Sequence, residues 1–240
     1  MDALHVHIDN VRTESVFRRQ RCVKPSQALV VFANDDNELA ALVADAMRIF
    51  AQHVRPGAAT DPTVRQRLVA IVETCMAKWA FPKDVSPLDE SETTDEMIEF
   101  REDVLRPVLS AVGQHSPAVV VDQVELALQS LTTAGATTEQ HAEAVVSLIH
   151  HLADFISPSF LGAKDETSLR AVRLIQLGLA DFALQLSERW PAAAVETFET
   201  ACRYNRLMAD PLVIHRLISL FLSAHGLFTA SNVRRARIVY

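Results

Sequence analysis

The sequence predicts an all-α protein built as a solenoid, an array of antiparallel helix pairs. Three observations carry that expectation. Alanine, leucine and valine dominate a chain that is 49% apolar, and only 6 of its 240 residues are glycine. Such residues lose least on entering a helix, whereas a sandwich or barrel needs turn glycines and aromatics. Apolar stripes of helical spacing recur along the chain with no strand-like alternation. Helix starts of one kind also recur, at Asp61-Pro62, Ser116-Pro117, Trp190-Pro191 and Asp210-Pro211: proline suits the first helical position, whose N–H has no partner anyway.

The elements follow in order. Residues 1–34 read as an irregular segment, with room for a short helix near the cluster Arg12, Arg18, Arg19, Arg21 and Lys24. The helical array is expected over 35–240. Asp35-Asp36 caps a helix over about 36–54, whose stripe reads Leu39, Leu42, Val43, Ala46, Ile49 and Phe50. Asp61-Pro62 opens a helix with Leu68, Ile71, Val72, Cys75 and Trp79 on one face, closed by Pro82. Asp84 to Asp95 reads as an exposed acidic loop. A helix over about 94–112 should kink at Arg106-Pro107, because proline removes a donor and crowds the preceding turn. Further helices are expected over 117–131, from Thr137-Thr138 to Ile156, over 166–189, from Trp190-Pro191 to Met208, over 211–224, and from Asn232 onward. Linkers this short make neighbours antiparallel. Roughly ten helices with a period near forty residues form the pattern of stacked hairpins.

The charge balance restricts function. There are 23 basic and 30 acidic residues, a formal net charge of −7, which argues against a general nucleic-acid-binding domain. Cys22, Cys75 and Cys202 are distant and odd in number, so neither a disulfide framework nor a zinc spacing is present. No apolar run approaches the ~20 residues that span a bilayer, and the first residues lack the layout of a signal peptide. A soluble intracellular protein is expected.

Catalytic signatures are missing: no phosphate-binding glycine loop, no nucleophile elbow and no His-Glu-x-x-His. His5 and His7 share a face but have no further ligands beside them. His150 and His151 are adjacent on a helix and point apart. Cys75 and Cys202 read as small core residues, and Glu139 with Glu143 as an exposed helix edge. No enzyme and no cofactor is expected.

The order of certain residues resembles a known family. Cys75-Met-Ala-Lys-Trp-Ala-Phe-Pro82 is followed by the acidic linker, by Glu99-Phe-Arg-Glu-Asp-Val-Leu-Arg-Pro107 and by His115-Ser-Pro117. Later come Thr197-Phe-Glu-Thr-Ala-Cys-Arg-Tyr204, Ser223-Ala-His-Gly-Leu227 and Val233-Arg-Arg-Ala-Arg237. Over about residues 65–240 this order resembles the tRNA exportins, nuclear transport receptors of the karyopherin-β superfamily. The resemblance implies a right-handed solenoid of about five HEAT-like pairs, taken from the middle of a longer receptor. Family members are several times longer, so truncation at the C-terminus is expected.

By the same resemblance the receptor would bind tRNA together with Ran-GTP, pass the nuclear pore through contacts with pore proteins, and shuttle between nucleus and cytoplasm. The GTPase activity would be Ran's. Two charge clusters are the candidates for contact. Arg234, Arg235 and Arg237, then Arg203 and Arg206, suit RNA phosphates, since guanidinium forks match phosphate oxygens. Packing against neighbouring repeats is the other reading of the same arginines. Asp89, Glu90, Glu92 and Asp95 suit a basic surface such as Ran; a solvated loop and helix start is the other reading, because carboxylates are favourable near a helix N-terminus. A HEAT or armadillo scaffold that binds proteins and no RNA is the alternative for the whole chain.

Overall fold

A computed structural model describes residues 25–34, 36–54, 61–89, 91–133, 138–156, 164–179, 190–207 and 211–222. Every regular element among them is helical. The helices are α1 (Pro25–Phe32), α2 (Asn37–Gln52), α3 (Pro62–Trp79), α4 (Glu92–Phe100), α5 (Arg106–His115), α6 (Pro117–Thr133), α7 (Glu139–His150), α8 (Leu152–Ile156), α9 (Glu166–Leu177), α10 (Pro191–Arg203) and α11 (Pro211–Leu222). A π-helical turn, Arg101–Leu105, joins α4 to α5, and a 3-10 turn, Asn205–Leu207, follows α10.

Local chemistry sets the starts. The Asp36 carboxylate accepts from the N–H groups of Glu38 and Leu39 at 2.9 and 3.1 Å. Asp61 does the same for Thr63 at 2.8 Å, and Ser91, Thr138 and Asp165 cap α4, α7 and α9. Each satisfies donors that the first turn leaves without a partner. Trp190 has no capping side chain, and a neighbouring helix supplies one: Glu139 of α7 accepts from the Ala192 N–H at 3.2 Å.

Packing follows an alternation. α1 packs on α3, α3 on α6, and α6 on α9. α2 packs on α5, α5 on α8, and α7 on α10. Counting α4–α5 and α7–α8 each as one broken helix, helices two steps apart in sequence are thus neighbours, and the chain passes back and forth between two rows. One row carries a ladder of ion pairs: Arg65 reaches Asp122 at 2.9 Å, and Arg170 reaches Asp122 at 2.8 Å and Glu125. The core runs between the rows, with Trp79, Leu105, Leu109, Ile149, Phe155 and Ile175 fully buried.

Several expectations need correction. The buried face of α2 is Ala40, Ala44, Met47 and Ala51, while Leu39 is 41% and Leu42 77% exposed. α1 and α5 press on the alanine face, where small side chains permit close approach. Cys75 is buried as expected, but Cys202 is exposed. Glu143, read as an exposed edge, is buried. The helix expected over 138–156 breaks at His151, because the Tyr204 hydroxyl enters there: it donates to the His150 carbonyl at 2.9 Å and accepts from the Ala153 N–H at 3.0 Å. The helix from Pro191 ends at Arg203, short of Met208. The stripe of α3 is buried as read, from Leu68 to Trp79. No helix among the described residues is long and apolar enough to cross a membrane.

Candidate functional site: an acidic cleft

The kink expected at Arg106-Pro107 takes the form of the widened turn just before it. The Arg106 N–H reaches back five residues to the Arg101 carbonyl, which accommodates a proline that can donate nothing. The turn also places Arg101 on the inner side of the chain. Its guanidinium forms a two-pronged ion pair with Glu143 of α7, with both N–O distances 2.7 Å. Its Nε–H donates to the Trp79 carbonyl at 2.7 Å. The Phe81 ring lies 4.1 Å below it and the Trp79 ring 5.6 Å away. The two charged side chains are only 7% and 8% exposed, so the pair is offset by full hydrogen bonding rather than by water.

Arg101 and Glu143 form the floor of a cleft of about 580 Å³ between the 81–89 loop, α4, α7 and α10. Trp79 and Phe81 supply aromatic wall; Asp89, Asp95, Glu102, Glu196 and Glu199 supply carboxylates. The loop is tied to α7 by Gln140, whose amide donates to the Val85 and Lys83 carbonyls at 3.0 and 3.2 Å.

Burial and like charge shape the titration of this cleft. Burial, reinforced by Glu143 and Glu199, pushes the Glu196 carboxyl up to about 8, against the pull of Arg101; 18% of its side chain remains accessible at the cleft wall. Burial also raises Glu199. Burial, then the neighbouring His151 and Arg203, lowers His150 to about 4. His151 is lowered by burial despite its hydrogen bond to Asp154. At pH 7 both histidines are therefore neutral. The Thr200 hydroxyl donates to the Glu196 carbonyl at 2.6 Å, which leaves its oxygen to accept from His150 Nδ1–H at 3.2 Å. The adjacent histidines do not point apart as expected: their rings meet edge to face at 4.9 Å. Among the described residues no group of His, Cys, Asp and Glu is arranged to hold a metal ion.

The candidate contact residues are distributed unevenly. Asp89 and Asp95 line the cleft. Glu92 is exposed in the first turn of α4, beside Asp95 in the same turn. Glu90 lies outside the described residues, as do Arg234, Arg235 and Arg237. Arg203 is held by Asp154 at 2.6 Å and lies over the Tyr204 ring, the geometry of the packing reading. Arg206 is exposed on the 3-10 turn. Sequence reasoning missed Glu143, Glu196, Glu199 and Arg101 as a constellation. The signal was present but faint: Trp79, Phe81 and Arg101 sit in the two segments quoted above, and Glu196 and Glu199 are three apart on one helix face.

No family model, curated protein or solved structure matches the chain.

Proposed function

We propose that this chain is a segment of a helical-repeat export receptor of the tRNA-exportin kind, binding tRNA cooperatively with Ran-GTP and catalysing nothing itself. The observation that carries the reading is the alternation of helices between two rows. A helix that contacts its second neighbour along the chain, broken helices counted as one, is the packing of a solenoid, and it supports the reading of stacked helix pairs; the right-handed, HEAT-like form with about five pairs comes with the resemblance. The residues of the resemblance also hold the repeats together. Trp79, Phe81 and Arg101 join α3, the π turn and α7, and Tyr204 joins α10 to the α7–α8 junction.

On this reading Asp89, Glu90, Glu92 and Asp95 meet Ran, and Arg234, Arg235, Arg237, Arg203 and Arg206 meet tRNA. Pore proteins and shuttling between nucleus and cytoplasm follow from the same reading. Labelled tRNA should bind the chain in the presence of Ran-GTP, less tightly as salt rises, because phosphate contacts release counterions. The triple change Arg234→Glu, Arg235→Glu and Arg237→Glu should weaken binding and flatten the salt dependence, nearly regardless of tRNA sequence. Absence of saturable tRNA binding, with or without Ran-GTP, would overturn it.

The acidic cleft favours a second reading, a repeat scaffold that binds proteins and no RNA. In that case Ran-GTP changes nothing, and the arginine changes alter stability alone.

A further inference from the structure

We infer that the cleft between α4, α7 and α10 is a docking site for an arginine side chain presented by a basic peptide segment of a partner protein. The inference stands whether or not the chain carries tRNA.

The first support is charge. Arg101 and Glu143 neutralise each other on the floor, and Arg106 answers Glu102 at the edge. His150 and His151 contribute no charge at neutral pH. No arginine or lysine among the described residues forms an ion pair with Asp95, Glu196 or Glu199, all of which line the cleft. Glu196 holds a proton in the free cleft at pH 7, and a cation entering there favours its carboxylate form and offsets its repulsion by Glu143 and Glu199. An anion such as an RNA phosphate is repelled.

The second support is the shape of the recognition already present. The cleft holds one guanidinium by carboxylate fork and aromatic face, in Arg101, Glu143 and Phe81. A second guanidinium finds carboxylates on α10 and α4, Glu196, Glu199 and Asp95, while the buried rings of Phe81 and Trp79 serve Arg101. A planar guanidinium pairs with two carboxylate oxygens at once, where an ammonium acts as a point charge. The volume suits a side chain with a short stretch of backbone.

The third support is independent of the carboxylates. Trp79 is fully buried in the cleft wall, and its indole N–H has no acceptor among the described residues. An indole N–H without a partner costs free energy and wants a carbonyl oxygen. Reaching it requires the wall to open, and a peptide then brings a backbone carbonyl with its cation, which a metal ion or a free amine does not.

The test is fluorescence anisotropy with a fluorescein-labelled Gly/Ser peptide carrying two central arginines. Saturable binding that weakens with salt is expected. Glu196→Gln with Glu199→Gln should lower affinity about tenfold, as removal of facing charges does in other complexes. Glu199→Gln alone, on the partly exposed rim, should lower it in the same direction and leaves the buried groups untouched. Trp79→Phe, which removes the N–H and leaves a smaller aromatic ring, should lower it about threefold. The charge-matched change Glu38→Gln with Glu73→Gln, on α2 and α3 away from the cleft, should leave affinity unchanged, and circular dichroism checks each fold. Any of four results overturns the proposal: no binding of the arginine peptide, equal loss in the charge-matched control, equal affinity for the lysine version, or displacement of the peptide by tRNA.

Discussion

Glu196 and His150 lie 3.9 Å apart across the α7–α10 contact, and both are neutral at pH 7 for the same reason, burial. Their effects on stability have opposite signs. Glu196 has a folded value near 8 against an ordinary 4.5. Between these the folded state holds a proton the unfolded chain has lost, so its contribution falls as pH rises, by up to about 1.4 kcal/mol per pH unit. His150 runs from an ordinary 6.5 to about 4; there the unfolded chain binds the extra proton, and stability falls as pH falls. The two slopes oppose each other below 6.5, and above it Glu196 acts alone. Urea midpoints should therefore decline from pH 6.5 to 8, and Glu196→Gln should abolish that decline. An unchanged alkaline limb in the variant contradicts the burial of this carboxyl. The Arg101–Glu143 pair has its own test. Glu143→Gln leaves a buried guanidinium without its counter-charge and should cost about 3 kcal/mol in urea denaturation; a cost below that of an exposed pair would mean the cleft floor is wet. Glu143 looked like surface because its neighbours Glu139 and Gln140 are polar. Only the distant Arg101, 42 positions earlier, makes its burial tolerable, and no local pattern carries that pairing.

Elements were legible where local chemistry decides them. Asp61-Pro62 and Thr138 announce α3 and α7 by their caps, and Arg106-Pro107 announces a distortion of the helix. What fails locally is the choice of face. On α2 the leucines looked like the core stripe, yet the alanines are buried, because the partner helices select the side that allows closest approach. The break at His151 comes from Tyr204, which arrives from α10. Tyr204→Phe keeps the ring but leaves the Ala153 N–H unpaired. It should lower stability by about 1–2 kcal/mol, measured by thermal melts. Gly113 lets α5 approach the backbone of α8 closely. A Cβ there would lie 2.1 Å from the Phe155 carbonyl oxygen, which is backbone. Gly113→Ala should therefore separate α5 from α8 at a cost of about 3 kcal/mol. A melt within a degree of the parent would mean that the contact is looser than described.

At the scale of the whole molecule, the all-α character was legible from composition and helix starts. The back-and-forth packing was legible from the short linkers. The acidic cleft was not legible, since it assembles from a loop and helices spread from Trp79 to Glu199. In a repeat array each unit leans only on its neighbours, so damage should stay local. Hydrogen exchange on Gly113→Ala should quicken in α5, α8 and their row neighbours α2 and α10, and fade in α1. Equal quickening throughout would indicate one closed cooperative core. The receptor reading itself is tested most directly by measuring tRNA affinity with Ran-GTP, with Ran-GDP and with neither. Coupled binding predicts tighter tRNA binding with Ran-GTP alone, and the same factor in the affinity for Ran-GTP when tRNA is added. Identical tRNA affinity under all three conditions would contradict it.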